Sequence, residues 1–140
     1  MHNMLLTITT ATMEQPVSEF KSKSGLKRIY TAFRYSLDGF RAAWQNEHAF
    51  RQEVSVFAVG VVIALLLKVS AFEKLVLIGV LLLILIVELI NSSIEAVVDR
   101  VSLERHPLSK NAKDFGSAAV LLTCLLAIAT WAVVLYNRFI

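Results

Sequence analysis

The sequence has few of the residues from which ligand and nucleotide sites are commonly built. Its single cysteine, Cys124, cannot form a disulfide within the chain and is interpreted as a small apolar side chain in a hydrophobic segment. The five glycines are scattered and form no GxxxxGK(S/T) or GxGxxG motif, so there is no phosphate-binding loop of the usual kind. The three histidines, His2, His48 and His106, lie far apart and form no Cys/His metal-ligand pattern.

Charged residues are also scarce, at 18% of the 140 residues, whereas hydrophobic residues make up 56%. The apolar residues occur in three blocks, of which 54–67 and 116–136 contain no charge. About 20 helical residues cross the hydrocarbon core of a bilayer. The sequence therefore predicts an all-α protein with three transmembrane helices, over about 49–71, 72–98 and 116–137. A soluble three-helix protein is the alternative, but the third block has no polar stripe that could face water.

The length predicts one domain, over 25–140, preceded by a disordered extension over 1–24. Seven Lys and Arg residues precede the first block and four lie between the second and third. Only two lie between the first and second blocks, and one follows the third. Because Lys and Arg accumulate on the cytoplasmic side of membrane proteins, we predict a cytoplasmic N-terminus.

The segment before the first block, about 26–46, has apolar residues at steps of three and four. These residues are Leu26, Ile29, Tyr30, Phe33, Leu37, Phe40 and Trp44. Basic residues and Asp38 occupy other positions. This pattern predicts an amphipathic helix that lies on the cytoplasmic membrane surface. A helix that packs against a protein core is the alternative.

Polar residues interrupt the end of the second block. Four of them fall within an arc of about 80° on a helix that turns about 100° per residue. They are Glu88, Asn91, Glu95 and Asp99. An ionisable group at the edge of the hydrocarbon costs on the order of a few kcal/mol unless it is paired or hydrated. Three acids and an amide on one stripe therefore predict a functional site rather than a single structural ion pair.

Other charged residues are expected at the same level of the membrane. Glu47 and Glu53 flank the start of the first block, and Lys113 and Asp114 precede the third. Carboxylates and phosphate oxygens are ligands that Mg²⁺ prefers, and a lysine suits a phosphate. A carboxylate can also act as a general base. These residues predict phosphoryl transfer at the membrane surface to an acceptor that lies in the lipid.

Three segments resemble the prokaryotic integral-membrane diacylglycerol kinases, in a match that runs from about Gly25 to the C-terminus. They are NEHAFRQE, VELINSSIEAVVDR and AKDFGSAAV. The resemblance implies a homotrimer in the bacterial inner membrane, with composite active sites between subunits. It implies transfer of the γ-phosphate of ATP, with Mg²⁺, to the primary hydroxyl of diacylglycerol, which gives phosphatidic acid. Nucleic acid is not an expected partner.

The resemblance also implies separate roles for individual residues. Glu88 corresponds to the catalytic base, with Asn91 beside it, and Glu47 and Glu95 correspond to acids that bind metal and nucleotide. The other expected nucleotide-binding residues are Arg28, Tyr35, Glu104, His106, Lys113 and Asp114. The residues expected to contact the lipid or support the site are Gln52, Glu53, Asp99 and Ser117. The loop over 102–112 is expected to cover the adenine, although Arg105, Pro107, Lys110 and Asn111 depart from the family pattern.

Three other interpretations fit part of the pattern. An undecaprenol kinase shares the architecture and much of the acid pattern, although VELINSSIEAVVDR is nearer to the diacylglycerol branch. A small proton-coupled transporter also uses a membrane-embedded glutamate, but it needs an acid near mid-membrane and a path open to both sides. A subunit without chemistry gives no reason for Lys113 and Asp114 to lie opposite three acids.

Overall fold

The computed structural model describes residues 25–101, 104 and 106–140. These residues form four helices and no strand, which confirms the predicted all-α class. In chain order they are α1 (Gly25–Asn46), α2 (His48–Leu66), α3 (Ala71–Val101) and α4 (Pro107–Phe139). The extension predicted over 1–24 lies outside the described residues.

The chain divides into two compact units, and the division falls within α1, after Leu37. In the first unit, the described residues are helical, and the apolar side chains of Leu26, Ile29 and Phe33 are exposed. An exposed apolar stripe fits a helix on a membrane surface. That location stays a prediction.

The second unit, Asp38–Ile140, contains three helices that are long and apolar enough to cross a bilayer. They are α2, α3 and α4, as predicted from the three apolar blocks. α3 is the central helix, because it packs against both α2 and α4. Its buried residues Leu81 and Ile84 cluster with Ala127 of α4, and Leu81 also lies against Gly60 of α2. Large apolar side chains remain exposed on all three helices.

The connections between α1 and α2 and between α2 and α3 are short and held by local hydrogen bonds. Between α2 and α3, Ser70 and Glu73 cap each other's backbone N–H groups, at 2.7 and 3.2 Å, in the pattern of a capping box. Between α1 and α2, Glu47 is the single connecting residue and has an extended backbone. One of the predicted metal-binding acids therefore lies at a bend in the chain.

The fourth helix begins at Pro107, whereas the predicted span begins near residue 116. Proline suits the first position of a helix, and the ring of His106 accepts a hydrogen bond from the backbone N–H of Leu108 at 3.2 Å. An ion pair between Lys110 and Asp114 spans the next turn. The segment expected as a loop over the adenine is therefore helical from Pro107 onward.

Candidate active site at the end of the central helix

The four polar residues at the end of α3 differ in burial along the helix. Glu88 is 4% exposed and Asn91 is 9% exposed. Glu95 is half-buried, and Asp99 is exposed. The stripe thus runs from a buried acid inside the helix bundle to an exposed acid at the helix end. A ligand from the aqueous side would meet Asp99 first and Glu88 last.

The carboxamide of Asn91 is held between α3 and α4. Its Nδ2 donates a hydrogen bond to Oε1 of Glu95 at 3.1 Å. Its Oδ1 is buried and accepts no hydrogen bond. Gly116 of α4 lies directly against this oxygen. The amide therefore orients one carboxylate and presents an unused acceptor to the interior of the bundle.

Several carboxylates share the space around Glu88. Glu47 and Glu95 lie within electrostatic range of Glu88, and so does Glu53 of α2. Oε2 of Glu53 is buried and has no hydrogen-bond partner. Because neighbouring carboxylates repel one another, this end of the bundle is complementary to a cation or to hydrogen-bond donors.

The carboxylates are ligands of the chemical type that binds Mg²⁺, but they do not form a complete coordination site. Among the described residues, no three His, Cys, Asp or Glu side chains are arranged to hold a metal ion. Mg²⁺ is usually bound by one or two carboxylates together with substrate phosphates and water. The repelling acids and the unpaired oxygens of Glu53 and Asn91 are therefore a donor set of the right kind.

Lys113 and Asp114 are neighbours in the sequence, and each forms an ion pair with a different residue. Nζ of Lys113 lies 2.6 Å from Oδ1 of Asp99, which joins α4 to α3. Asp114 pairs with Lys110 within α4. Lys113 also lies within electrostatic range of Glu95. The ammonium group is thus held at the exposed end of the acid cluster.

The other predicted residues lie on the surface or at helix ends. Three of them are exposed: Gln52, Glu104 and Ser117. His106 caps the start of α4. Arg28 and Tyr35 are exposed and belong to the first unit, whereas all of the acids described above belong to the second.

An apolar groove lies on the same face of α3 as Glu88. It encloses about 610 Å³ between α2 and α4, with α3 as its floor. Its lining includes Val59 and Ile63 of α2, Ile84 of α3 and Trp131 of α4. Ile84 lies one helical turn before Glu88, so the groove and the acid share one face of α3. Sequence reasoning did not find this groove, because its residues are ordinary apolar ones and their grouping depends on helix packing.

Comparisons with known proteins agree with the resemblance seen in the motifs. The profile of the prokaryotic diacylglycerol kinase family matches residues 34–135. A diacylglycerol kinase of Pseudomonas aeruginosa is 58% identical over 118 residues, which cover 84% of this chain and 96% of that protein. A diacylglycerol kinase of Escherichia coli is 50% identical over 116 residues, 83% of this chain and 95% of that protein. One from Helicobacter pylori is 44% identical over 107 residues, 76% and 84% of the two chains. The chain belongs to the prokaryotic diacylglycerol kinase family.

Proposed function

We propose that this protein is an ATP-dependent lipid kinase that transfers the γ-phosphate of ATP to the primary hydroxyl of diacylglycerol, giving phosphatidic acid in phospholipid turnover. Beside family membership, one structural observation carries the proposal. The apolar groove between α2 and α4 is lined by Ile84 of α3, which lies one helical turn before the buried Glu88. A lipid whose acyl chains lie in that groove would bring its polar hydroxyl to this acid.

In the proposed mechanism, Glu88 accepts the proton of the lipid hydroxyl while the hydroxyl oxygen attacks the γ-phosphorus atom of ATP. The bond from that phosphorus to the bridging oxygen breaks, and ADP leaves. Oε2 of Glu53 is an unused acceptor close to Glu88 and is suited to orient the same hydroxyl. Glu47 and Glu95 are the residues that would hold Mg²⁺, whose charge offsets that of the phosphates when it is bound. Asn91 orients Glu95 through its hydrogen bond.

The nucleotide is proposed to enter at the exposed end of the stripe. Lys113 would exchange its contact with Asp99 for a phosphate oxygen, since both groups lie at the open end of the cluster. The further nucleotide contacts proposed by resemblance are Arg28, Tyr35, Glu104, His106 and Asp114. Gln52 and Ser117 are proposed to contact the lipid or support the site.

The membrane setting is part of the proposal. A multi-pass protein follows from three long apolar helices in a membrane kinase family. We propose the bacterial inner membrane, with the N-terminus and the acid cluster on the cytoplasmic side, where ATP is available. A homotrimer with composite sites would cover part of the apolar surface that a single chain leaves exposed, and a neighbouring subunit could complete the ligand set around Mg²⁺.

The test is an assay of the purified protein in mixed micelles with ATP, Mg²⁺ and either diacylglycerol or undecaprenol. We expect phosphorylation of diacylglycerol, and a loss of at least about 100-fold in Glu88→Gln, because the base is removed. Glu73→Gln, at the opposite end of α3, serves as the control and should keep its activity. A strong preference for undecaprenol would reassign the substrate. Retained turnover in Glu88→Gln would remove Glu88 as the base, and no lipid phosphorylation by the wild type would overturn the kinase proposal.

A further inference from the structure

Gly116 occupies a position at which any side chain would collide with Asn91. A Cβ atom added to Gly116 would lie 2.1 Å from Oδ1 of Asn91 and 3.2 Å from its Cγ. The same atom would lie 3.7 Å from the Cα of Asn91, so the carboxamide and not the backbone blocks it. Both residues are buried. Relief of such a collision therefore requires the carboxamide to move.

The backbone at this position does not itself require glycine. Gly116 lies inside α4, and no described glycine has a positive φ angle. The requirement is therefore for space beside the amide. That space matters because the other end of the same amide donates to Oε1 of Glu95 at 3.1 Å. A carboxamide that is pushed away from α4 must rotate or tilt, and it then loses its alignment with Glu95.

We propose that Gly116 is a positioning residue for the site. By leaving room for the carboxamide of Asn91, it keeps Glu95 in the orientation that binds the metal–nucleotide complex. Gly116 itself touches neither substrate nor nucleotide and acts through Asn91. This inference rests on the proposed kinase function and deepens it, because it extends the site from the acids of α3 to a backbone position of α4.

Two other glycines of the chain separate this role from simple packing. At Gly60 of α2, an added Cβ would lie 2.3 Å from Cδ1 of Leu81, which is the end of a flexible apolar side chain. At Gly79 of α3, nothing lies within 4 Å of the added atom. Gly60→Ala is thus a control that creates a similar collision away from the acids. Gly79→Ala is a control for the same substitution without a collision.

The experiment compares the three alanine variants as full-length protein in micelles. One readout is Mn²⁺ binding in the presence of a non-hydrolysable ATP analogue, followed by electron paramagnetic resonance. The other is the Mg²⁺ concentration that gives half-maximal kinase rate. We expect Gly116→Ala to weaken Mn²⁺ binding and to raise the half-maximal Mg²⁺ concentration, each at least tenfold. Gly60→Ala should leave both metal readouts unchanged, whatever its thermal stability. Gly79→Ala should not lower thermal stability and should leave the metal response unchanged.

The decisive test combines Gly116→Ala with Asn91→Ala, because Asn91→Ala removes the carboxamide that Gly116 accommodates. In the Asn91→Ala background, Gly116→Ala should leave the Mn²⁺ affinity unchanged and should not lower the thermal stability. If Gly116→Ala alone fails to fold, the double variant should fold, since its collision is removed. An unchanged metal response in folded Gly116→Ala, or an equal loss in the Asn91→Ala background, would overturn the inference. An inactive wild-type protein would instead count against the proposed function, so the two failures are distinguishable.

Discussion

Glu88 and Asn91 are the two buried polar residues in the described part of the chain. Burial of a polar group without a hydrogen bond costs roughly 1–3 kcal/mol. Nδ2 of Asn91 donates a hydrogen bond to Glu95, but Oδ1 of Asn91 has no hydrogen-bond partner. Oε2 of Glu53 has none either. Unused buried acceptors of this kind occur where a ligand, an ion or a water completes the structure. At the residue scale, these unpaired oxygens are suited chemically to a hydroxyl donor or a cation.

Part of this cluster could be predicted from the sequence. The helical repeat alone placed Glu88, Asn91 and Glu95 on one stripe of α3. The sequence did not reveal that Lys113 pairs with Asp99, because that contact depends on how far α4 extends and how it packs on α3. The pairing of Lys110 with Asp114 follows from their spacing of four residues, because α4 begins before them, at Pro107.

The ion pair between Lys113 and Asp99 leads to a prediction for nucleotide affinity. Both side chains are partly exposed, so the pair contributes only about 0–1 kcal/mol to stability. Lys113→Met should raise the KM for ATP at least tenfold, because a cation at the phosphate entrance is lost, with little change in thermal stability. Asp99→Asn should leave the KM for ATP unchanged or lower it, because Lys113 is released. Steady-state kinetics at varied ATP measure both.

Lys110→Met is the control for this pair, because it removes a lysine from the same helix one turn earlier. It should change the KM for ATP by less than the Lys113 substitution does. A KM that rises equally in the two lysine variants would mean that general positive charge, and not a contact of Lys113, attracts the nucleotide.

At the scale of elements, the apolar blocks predicted the three long helices well because a membrane span needs length and hydrophobicity more than any special residue. The boundaries were less predictable. α4 begins at Pro107, since the cap by His106 and the charged first turns extend the helix beyond its apolar part. Charged residues before an apolar block favour the prediction of a loop, but a helix can continue through them beyond its apolar part.

The bend between α1 and α2 depends on Arg51. Nη1 of Arg51 donates to the carbonyl oxygens of Trp44 at 2.8 Å and Gln45 at 3.3 Å. Nη2 lies 2.7 Å from Nδ1 of His48. These carbonyls belong to the last turn of α1, whose acceptors have no partner within the helix. The guanidinium group therefore ties the end of α1 to the first turn of α2, on either side of Glu47.

Arg51→Met should loosen this bend. We expect a loss of about 1–2 kcal/mol of stability from the missing charge-assisted hydrogen bonds. We also expect a higher Mg²⁺ requirement, because Glu47 lies at the bend. Arg51→Lys keeps the charge but not the planar fork, and should restore only part of both properties. Thermal unfolding and kinase rate at varied Mg²⁺ measure the effects. Arg41→Met, on an exposed part of α1, is the control, and equal effects at the two arginines would contradict this role of Arg51.

At the scale of the whole molecule, the surface is as informative as the core. Large apolar side chains are exposed on every helix, whereas the buried core of the second unit is small. Water is a poor solvent for such a chain, and a bilayer or neighbouring subunits suit it. The acids then lie at one end of the bundle, and the uneven distribution of Lys and Arg decides which side of the membrane that end faces.

This charge distribution predicts the orientation, which the single cysteine makes simple to measure. Cys124→Ala gives a cysteine-free background, provided that its kinase activity is retained. Asn111 and Asn137 are exposed residues near opposite ends of α4, and each can be replaced by cysteine. In cells whose outer membrane alone is permeabilised, a membrane-impermeant maleimide should label Asn137→Cys from the periplasmic side. It should label Asn111→Cys only in inverted inner-membrane vesicles. The reverse pattern would place Lys113 and the acid cluster on the side without ATP, and the proposed reaction could not occur there.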